Sequence, residues 1–548
     1  MEHSAQKIQS GSVCRATYAT ARFGGTLVGD WSHGVPRARS FFPARTWRDV
    51  CAEIDQKNYP RAALAATLEE NARALGAPEA VLQNARKLAH EKTYAVITGQ
   101  QAGFLGGPLF TIYKALSAVK LARQYELEAQ GAAQFVPVFW VAGDDHDLAE
   151  IDHAYFLNAD GASVRISAPV AKECEGRSAC EIFLSREPEA LKKLHDELAA
   201  LLGGDAAHDL LREYEGRDFE AAFSSLLLKW LGATGIVVAR SSCLRKFSAQ
   251  LLARNLDDFD VSARLVQEAG VALQKCQYEP GFSERTRVAP HFFAVLDADR
   301  KRTAIQPEQR GAERVFRVGN FEFTRAQMLE KIEREPERFS TSALLRPVFQ
   351  DSLFPTAAVV LGPGELAYWA QLRQVHAHYG AVWPVIAPRA TLTLLDAAGE
   401  KAACKLGLED RPLDIFLDRN ALRELAAAGG ELSGPIAARK KALLENLDAL
   451  RETVAASNAG LLPMLEKIRQ KIEHELERFA IRAGSEADKR GEARTLRAEY
   501  LAGLVRPRNA PQERILCAAG FMAKFPGLCE RLLEVIDPSD REHLIVTF

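Results

Sequence analysis

Along the first 390 residues, short apolar runs rich in β-branched residues end abruptly in clusters of glycine and polar residues. Ala95-Val96-Ile97 runs into Thr98-Gly99-Gln100-Gln101, Val136 to Val141 into Ala142-Gly143-Asp144-Asp145-His146-Asp147, and Ile236 to Ala239 into Arg240-Ser241-Ser242. Ala357 to Leu361 meets Gly362-Pro363-Gly364-Glu365, and Trp383 to Ile386 meets Ala387-Pro388-Arg389. Continuous apolar runs suit strands buried on both faces, as in parallel sheets, and such sheets bind ligands beyond the carboxyl ends of their strands. The pattern therefore predicts an α/β chain with a doubly wound parallel sheet, whose polar strand ends converge on one edge.

The intervening segments complete this reading. Trp47 to Glu91 carries Leu64, Leu68, Leu75, Val81, Leu82 and Leu88 at helical spacing. Tyr94 to about His153 has the strand, glycine-rich turn, helix and strand order of a βαβ unit, with Leu109 to Tyr125 as its crossover helix. About 155–235 and 255–345 mix short strand-like stretches, charged helices and turns, which predicts insertions able to enclose a substrate. After Arg389 the composition turns to Ala, Leu, Glu, Lys and Arg, so the expected domains are 1–389 and 390–548. In the second, Leu443, Leu447, Leu450, Val454, Leu461, Leu465, Ile468, Ile472, Leu476 and Phe479 follow 3/4 spacing, which predicts an α-helical coiled coil. Ser457 to Gly460 and Pro463 interrupt it, which leaves a kinked helix and an antiparallel pair both open.

Composition narrows the function. With 548 residues, 47% of them apolar, the chain exceeds one ordinary domain. A formal charge of -2 provides no global attraction for nucleic acid or anionic membrane, so a small-molecule partner is expected. The nine cysteines are scattered, without the paired CxxC spacing of structural zinc, and fit reduced thiols in the cytoplasm. No apolar run approaches the about 20 residues that span a bilayer.

Four strand-end clusters carry candidate chemistry. The loop from Thr98 to Pro108 has glycines that let backbone N–H groups approach an anion, and it opens a helix, but it matches neither a Walker A loop nor GxGxxG. Asp144 to Asp147, with Glu150, Asp152 and His153, suits a divalent metal, acid–base work or a substrate ammonium group. His146 and His153 are seven residues apart rather than at the i, i+4 spacing of zinc helices, so no dedicated metal site is expected. Gly362 to Trp369 places glycines and Glu365 at another helix start, and Arg389 ends the last predicted strand.

Several long motifs occur together: Thr98-Gly99-Gln100-Gln101-Ala102-Gly103, Gly107-Pro108-Leu109-Phe110-Thr111-Ile112-Tyr113-Lys114 and Pro137 to Asp147. Further along are Arg346-Pro347-Val348-Phe349-Gln350-Asp351, Leu353-Phe354-Pro355-Thr356, Gly362 to Trp369 and Pro511-Gln512-Glu513-Arg514. By these the chain resembles, over nearly its whole length, the BshC family of cysteine ligases in bacillithiol biosynthesis. The resemblance implies a Rossmann-like core with connecting-peptide insertions, a C-terminal coiled coil that supports a homodimer, and the joining of L-cysteine to the amino group of glucosaminyl malate. The H-I-G-H and K-M-S-K-S signatures of the related class I synthetases are absent.

Because a carboxylate is a poor electrophile, ATP, accompanied by Mg²⁺, is expected to activate the cysteine carboxyl. Asp144, His146 and Asp147 are then expected to bind the cysteine ammonium or act as base. Thr98, Gln100, Gln101, Lys114, Gly364, Glu365 and Tyr368 are expected to hold substrate, and Gly99, Gly103, Arg389, Gln512 and Arg514 the nucleotide. Two competing readings are a metal-dependent hydrolase built on the Asp144–His153 cluster and a non-catalytic assembly protein acting through residues 440–480.

Overall fold

The computed structural model describes residues 13–16, 26–282, 292–296, 299–311, 313–408, 415, 417–427, 433–486 and 489–548. Five parallel strands form the central sheet: β1 (Thr93–Gln101), β2 (Gln134–Ala142), β3 (Val237–Arg240), β4 (Thr356–Leu361) and β5 (Val385–Pro388). Their spatial order is β3-β2-β1-β4-β5, so the winding reverses between β1 and β4. That reversal is the topological switch point at which doubly wound sheets open a crevice for ligand.

Burial on both faces explains the continuous apolar runs. Ala95 and Ile97 of β1 join one hydrophobic cluster with Val138 and Val359, while Tyr94 and Val96 join another with Phe135 and Val360. β1 runs beyond its apolar segment, because Gly99, Gln100 and Gln101 stay in register with Trp140, Val141 and Ala142 of β2. The ladder is made by the backbone and tolerates polar side chains once they reach the open edge. β5 starts later than the apolar pattern suggests. Pro384 has no N–H to give a ladder, and Trp383 packs against Trp369 and His376 instead.

Helix α1 (Phe110–Ala129) crosses from β1 to β2 and is buried along most of its length. The turn into it requires glycine at 106, where φ is +87° and a β-carbon would lie 2.5 Å from the Trp230 ring. Trp47 to Glu91 resolves into three helices, Trp47–Ile54, Arg61–Ala74 and Glu79–Lys87.

The expected insertions are partly redrawn. Helix α2 (Phe219–Leu231) falls within the first but is almost wholly buried and packs on β3, as part of the sheet's own cover. The second begins inside helix α3 (Ala249–Lys275), which starts before the expected boundary at 255, and holds a five-stranded antiparallel sheet spanning residues 292–341, with helix Arg325–Arg334. Leu252, Leu256, Phe292, Ile305, Phe316, Met328 and Ile332 form a hydrophobic core of its own. It is a small module set over the sheet edge.

Helix α4 (Pro363–Trp369) follows β4. Beyond β5, strands β6 (Thr391–Leu395) and β7 (His543–Thr547) pair in parallel, and Val13–Ala16 adds antiparallel to β7. A strand from the start of the chain thus completes a sheet built from its end. Helices α5 (Ser433–Ser457) and α6 (Leu462–Glu486) form an antiparallel hairpin, since Lys440 reaches Glu477 and Asp448 reaches Arg469, both at 2.8 Å. Pro463 sits in the first turn of α6, where its missing N–H costs nothing. Leu443, Leu450, Leu461, Met464, Ile468 and Phe479 remain substantially exposed on the hairpin. Among the described residues, no helix is long and apolar enough to cross a membrane.

Candidate functional site

A cleft of about 1050 Å³ opens over the carboxyl ends of β1, β2 and β4, at the switch point. Its inner wall is built around Lys114, carried on α1 and almost completely buried. Lys114 Nζ donates to the Gly99 carbonyl at 2.8 Å and to Gln100 Oε1 at 2.9 Å, and pairs with Glu365 Oε2 at 2.6 Å. Burial draws the ammonium pKa down, while the Glu365 carboxylate works against that shift. Glu365 also accepts from the Gly362 N–H at 2.8 Å, which satisfies a backbone amide at the start of α4.

Arg389 reaches the same wall from the end of β5. Its Nη atoms bind Glu513 at 2.6 and 2.9 Å, and Nη1 also donates to the Ala390 carbonyl, while Nε is buried without a hydrogen-bond partner among the described residues. A β-carbon at Gly362 would lie 3.4 Å from that Nε, 3.5 Å from Glu365 Oε2 and 3.6 Å from Lys114 Cε. Glycine therefore keeps open a small space faced by two cationic side chains and one carboxylate. Trp140 also lines the cleft, and its Nε1 is likewise buried without a hydrogen-bond partner among the described residues. Orphaned donors at the base of a cleft are the chemistry a phosphate or carboxylate satisfies.

The facing wall is acidic. Gln101 Nε2 donates to Asp145 Oδ2 at 2.5 Å and Glu150 Oε2 at 2.6 Å, which brings two carboxylates to one corner. Asp144 is bound by Arg245 through Nε at 2.7 Å and Nη2 at 2.6 Å. His146 Nδ1 lies 3.0 Å from Arg302 Nη1, and burial together with the Arg302 charge lowers the imidazole pKa. Tyr368 and Arg346 complete the rim, with Arg346 Nη2 3.4 Å from the Tyr368 hydroxyl. Burial raises the pKa of that phenol, so it stays protonated at neutral pH.

Of the residues expected from sequence, Gly99, Gln100, Gln101, Gly103, Lys114, Asp144, His146, Gly364, Glu365, Tyr368, Arg389 and Arg514 line this single cleft. Three lie elsewhere. The Thr98 hydroxyl donates to the Val360 carbonyl at 2.9 Å and ties β1 to β4. Asp147 is exposed outside the cleft, at the start of the turn Leu148–Ile151. Gln512 is fully buried, its Oε1 accepting from Leu394 N–H at 2.8 Å and its Nε2 donating to the Leu394 and Leu504 carbonyls, which leaves nothing free for a ligand. Geometry adds Asp145, Glu150, Arg302 and Arg346. Asp145 and Glu150 belong to the acidic run already visible in sequence, whereas Arg302 sits in the inserted sheet with no local motif to announce it.

Behind the acidic wall, Gly143 allows a close approach: a β-carbon there would lie 2.2 Å from the carboxylate of Glu220. Glu220 is fully buried and holds Arg240, Ser241 and Ser242. Gly143→Ala is expected to cost about 1–3 kcal/mol through overpacking. Gly204→Ala, whose β-carbon meets nothing within 4 Å, is expected to change stability by under about 0.5 kcal/mol. Denaturant midpoints of the two variants check this, and equal midpoints would contradict it.

Among the described residues, no three His, Cys, Asp or Glu side chains gather in a group able to hold a metal ion. The hydrolase reading consequently lacks the donor set it needs.

Comparison with known proteins adds a second line of observation. The family model described as "Bacillithiol biosynthesis BshC, N-terminal Rossmann-like domain" matches residues 17–390, and "Bacillithiol biosynthesis BshC, C-terminal coiled-coil domain" matches residues 392–548. A protein of Bacillus cereus strain AH187, named "Putative cysteine ligase BshC", is 28% identical over 538 residues, covering 95% of this chain and 97% of its own. One of the same name from Koribacter versatilis strain Ellin345 is 30% identical over 514 residues, covering 91% of this chain and 93% of its own.

Proposed function

The chain belongs to the BshC family of bacillithiol biosynthesis, and from that premise we propose that it is a ligase joining L-cysteine to the amino group of glucosaminyl malate after ATP-dependent activation of the cysteine carboxyl. The observation that carries this reading is the pairing of two unlike walls at the switch point. One presents Lys114, Glu365 and Arg389; the other presents Asp145 and Glu150 bridged by Gln101. A substrate bearing both an ammonium group and an activated carboxyl suits such a cleft.

The division of labour follows from charge. Asp145 and Glu150 receive the cysteine ammonium, and the Lys114 side of the cleft stabilises the anionic activated carboxyl and its phosphate leaving group. The glucosamine nitrogen attacks the acyl carbon. A C–N bond forms, the C–O bond to phosphate breaks, and the amine proton passes to a carboxylate of the acidic corner or to solvent. The phosphate-bearing group departs as AMP from an adenylate or as inorganic phosphate from an acyl-phosphate. Mg²⁺ enters with ATP rather than at a protein cage. The exposed apolar positions of the coiled-coil hairpin fit a homodimer, and a small-molecule ligase of this kind would act in the cytoplasm.

The test is mass spectrometry of the purified protein with ATP, Mg²⁺, L-cysteine and glucosaminyl malate, following thiol product and nucleotide together. Cysteinyl product with AMP supports an adenylate, and product with ADP supports an acyl-phosphate. Folded protein that binds both substrates yet gives neither product would overturn the ATP-dependent reaction proposed for this chain.

A further inference from the structure

We propose that Arg302 is a positioning residue that holds the His146 imidazole in its Nε2–H tautomer, so that this corner of the cleft offers substrate a hydrogen-bond donor rather than a base. This deepens the ligase reading above and rests on it for its catalytic consequence, although the tautomer itself can be read without any turnover.

The argument begins with donor capacity. A guanidinium has only N–H donors, so the 3.0 Å contact between Arg302 Nη1 and His146 Nδ1 requires Nδ1 to accept. A neutral ring whose Nδ1 accepts carries its hydrogen on Nε2. Arg302 is not free to swing away. Its Nε donates to Ser340 Oγ at 2.9 Å, its Nη2 to the Thr341 carbonyl at 2.8 Å, and its plane lies 3.9 Å from the centre of the Phe293 ring. Two hydrogen bonds and an aromatic ring, all supplied through the inserted sheet, aim the remaining Nη1 at the imidazole. Burial brings the Arg302 pKa down to about 10, which still leaves it charged at neutral pH.

The surroundings favour the same state. Arg302 and Phe293 face the ring from the inserted module, and Asp145 and Asp147 face it from its own segment. Asp145 is occupied by Gln101 and by the Asp147 N–H, and Asp147 is exposed. A proton added at Nδ1 would therefore point at a guanidinium. His146 Nε2 has no protein partner among the described residues, and His146 lines the cleft. An N–H there suits the carbonyl oxygen of the activated cysteine, whose negative charge grows as the amine attacks, as expected for a preorganised donor.

Nitrogen-15 spectra of histidine-labelled protein read the tautomer, with the His146 signals identified by their loss in His146→Gln. The wild type is expected to show a bare Nδ1 and a protonated Nε2. In Arg302→Met the ring is expected to become a tautomer mixture and to titrate closer to its ordinary value of about 6.5, and Arg302→Lys is expected to restore the wild-type pattern in part. Turnover should fall about 100-fold in Arg302→Met with little change in KM for cysteine, and His146→Gln, which keeps an N–H donor, should exceed His146→Ala by about tenfold. A wild-type spectrum with Nδ1 protonated, or an Arg302→Met spectrum unchanged from wild type, overturns the proposal. If Arg302→Met does not fold, the wild-type spectrum and the two His146 variants decide it. Failure of the ligase reading shows separately, as absence of cysteinyl product from wild-type protein.

Discussion

Glu513→Leu is expected to lower the stability of the chain by about 3–5 kcal/mol, because it strands a buried guanidinium. Arg389 and Glu513 are almost inaccessible to solvent and meet in a two-pronged contact of 2.6 and 2.9 Å. Glu513 Oε2 also accepts from the Leu392 N–H at 3.1 Å, so the substitution leaves that amide unsatisfied as well. Coulombic gain and desolvation cost nearly cancel for an intact buried pair, whereas removal of one partner leaves the desolvation cost alone. The double variant Arg389→Met, Glu513→Leu is accordingly expected to recover most of the loss. Urea unfolding of the two single variants and the double variant measures the coupling. A Glu513→Leu variant within about 1 kcal/mol of wild type would show that the pair is dispensable. The pair matters to the cleft because it fixes a guanidinium that lines it.

Lys114→Met is expected to reduce turnover by about 100- to 1000-fold. Lys114 touches both sides of the switch point, bonded to Gly99 and Gln100 of β1 and paired with Glu365 beyond β4. Its removal deletes the charge facing the developing anion and releases the Glu365 carboxylate into the space a substrate carboxyl would enter. Lys114→Arg is expected to restore little, since a planar fork does not fit a pocket whose three oxygen acceptors surround a compact ammonium. Steady-state kinetics with cysteine and glucosaminyl malate, alongside thermal unfolding, provide the check. Retention of a third or more of the turnover would reduce Lys114 to a structural tie. The stability cost should be smaller than at Glu513, because the Glu365 side chain retains 21% of its exposure and can rehydrate.

Much of this architecture is legible in the chain itself. The five β-branched runs all became parallel strands, and the two glycine-rich strand ends at Gly99 and Gly362 lie on either side of the winding reversal. The apolar repeat around residues 440–480 became paired helices, although the choice of an antiparallel hairpin came from contacts such as Lys440–Glu477. Helix α2 lies in a segment whose sequence reads as insertion; its nearly uniform apolar content does not reveal which neighbour will cover it.

The candidate site was legible as a place more than as a set of roles. Asp144 and Asp145 are adjacent in sequence and chemically alike, yet Arg245 claims the first while the second faces the cleft beside Gln101 and Glu150. Gln512 reads as a polar residue in a conspicuous motif, and folding spends its amide on the β6 backbone.

Burial periodicity and turn chemistry act over a few residues, so apolar spacing was sufficient to place the strands of the central sheet, their polar ends and the paired C-terminal helices. The partner of each polar side chain was settled only by folding, because those partners come from far along the chain: His146 and Arg302 are 156 residues apart, and Arg389 and Glu513 are 124 apart. A hydrogen bond or ion pair of this kind depends on sub-ångström placement of separately folded elements. Local pattern does not encode that placement, and packing does.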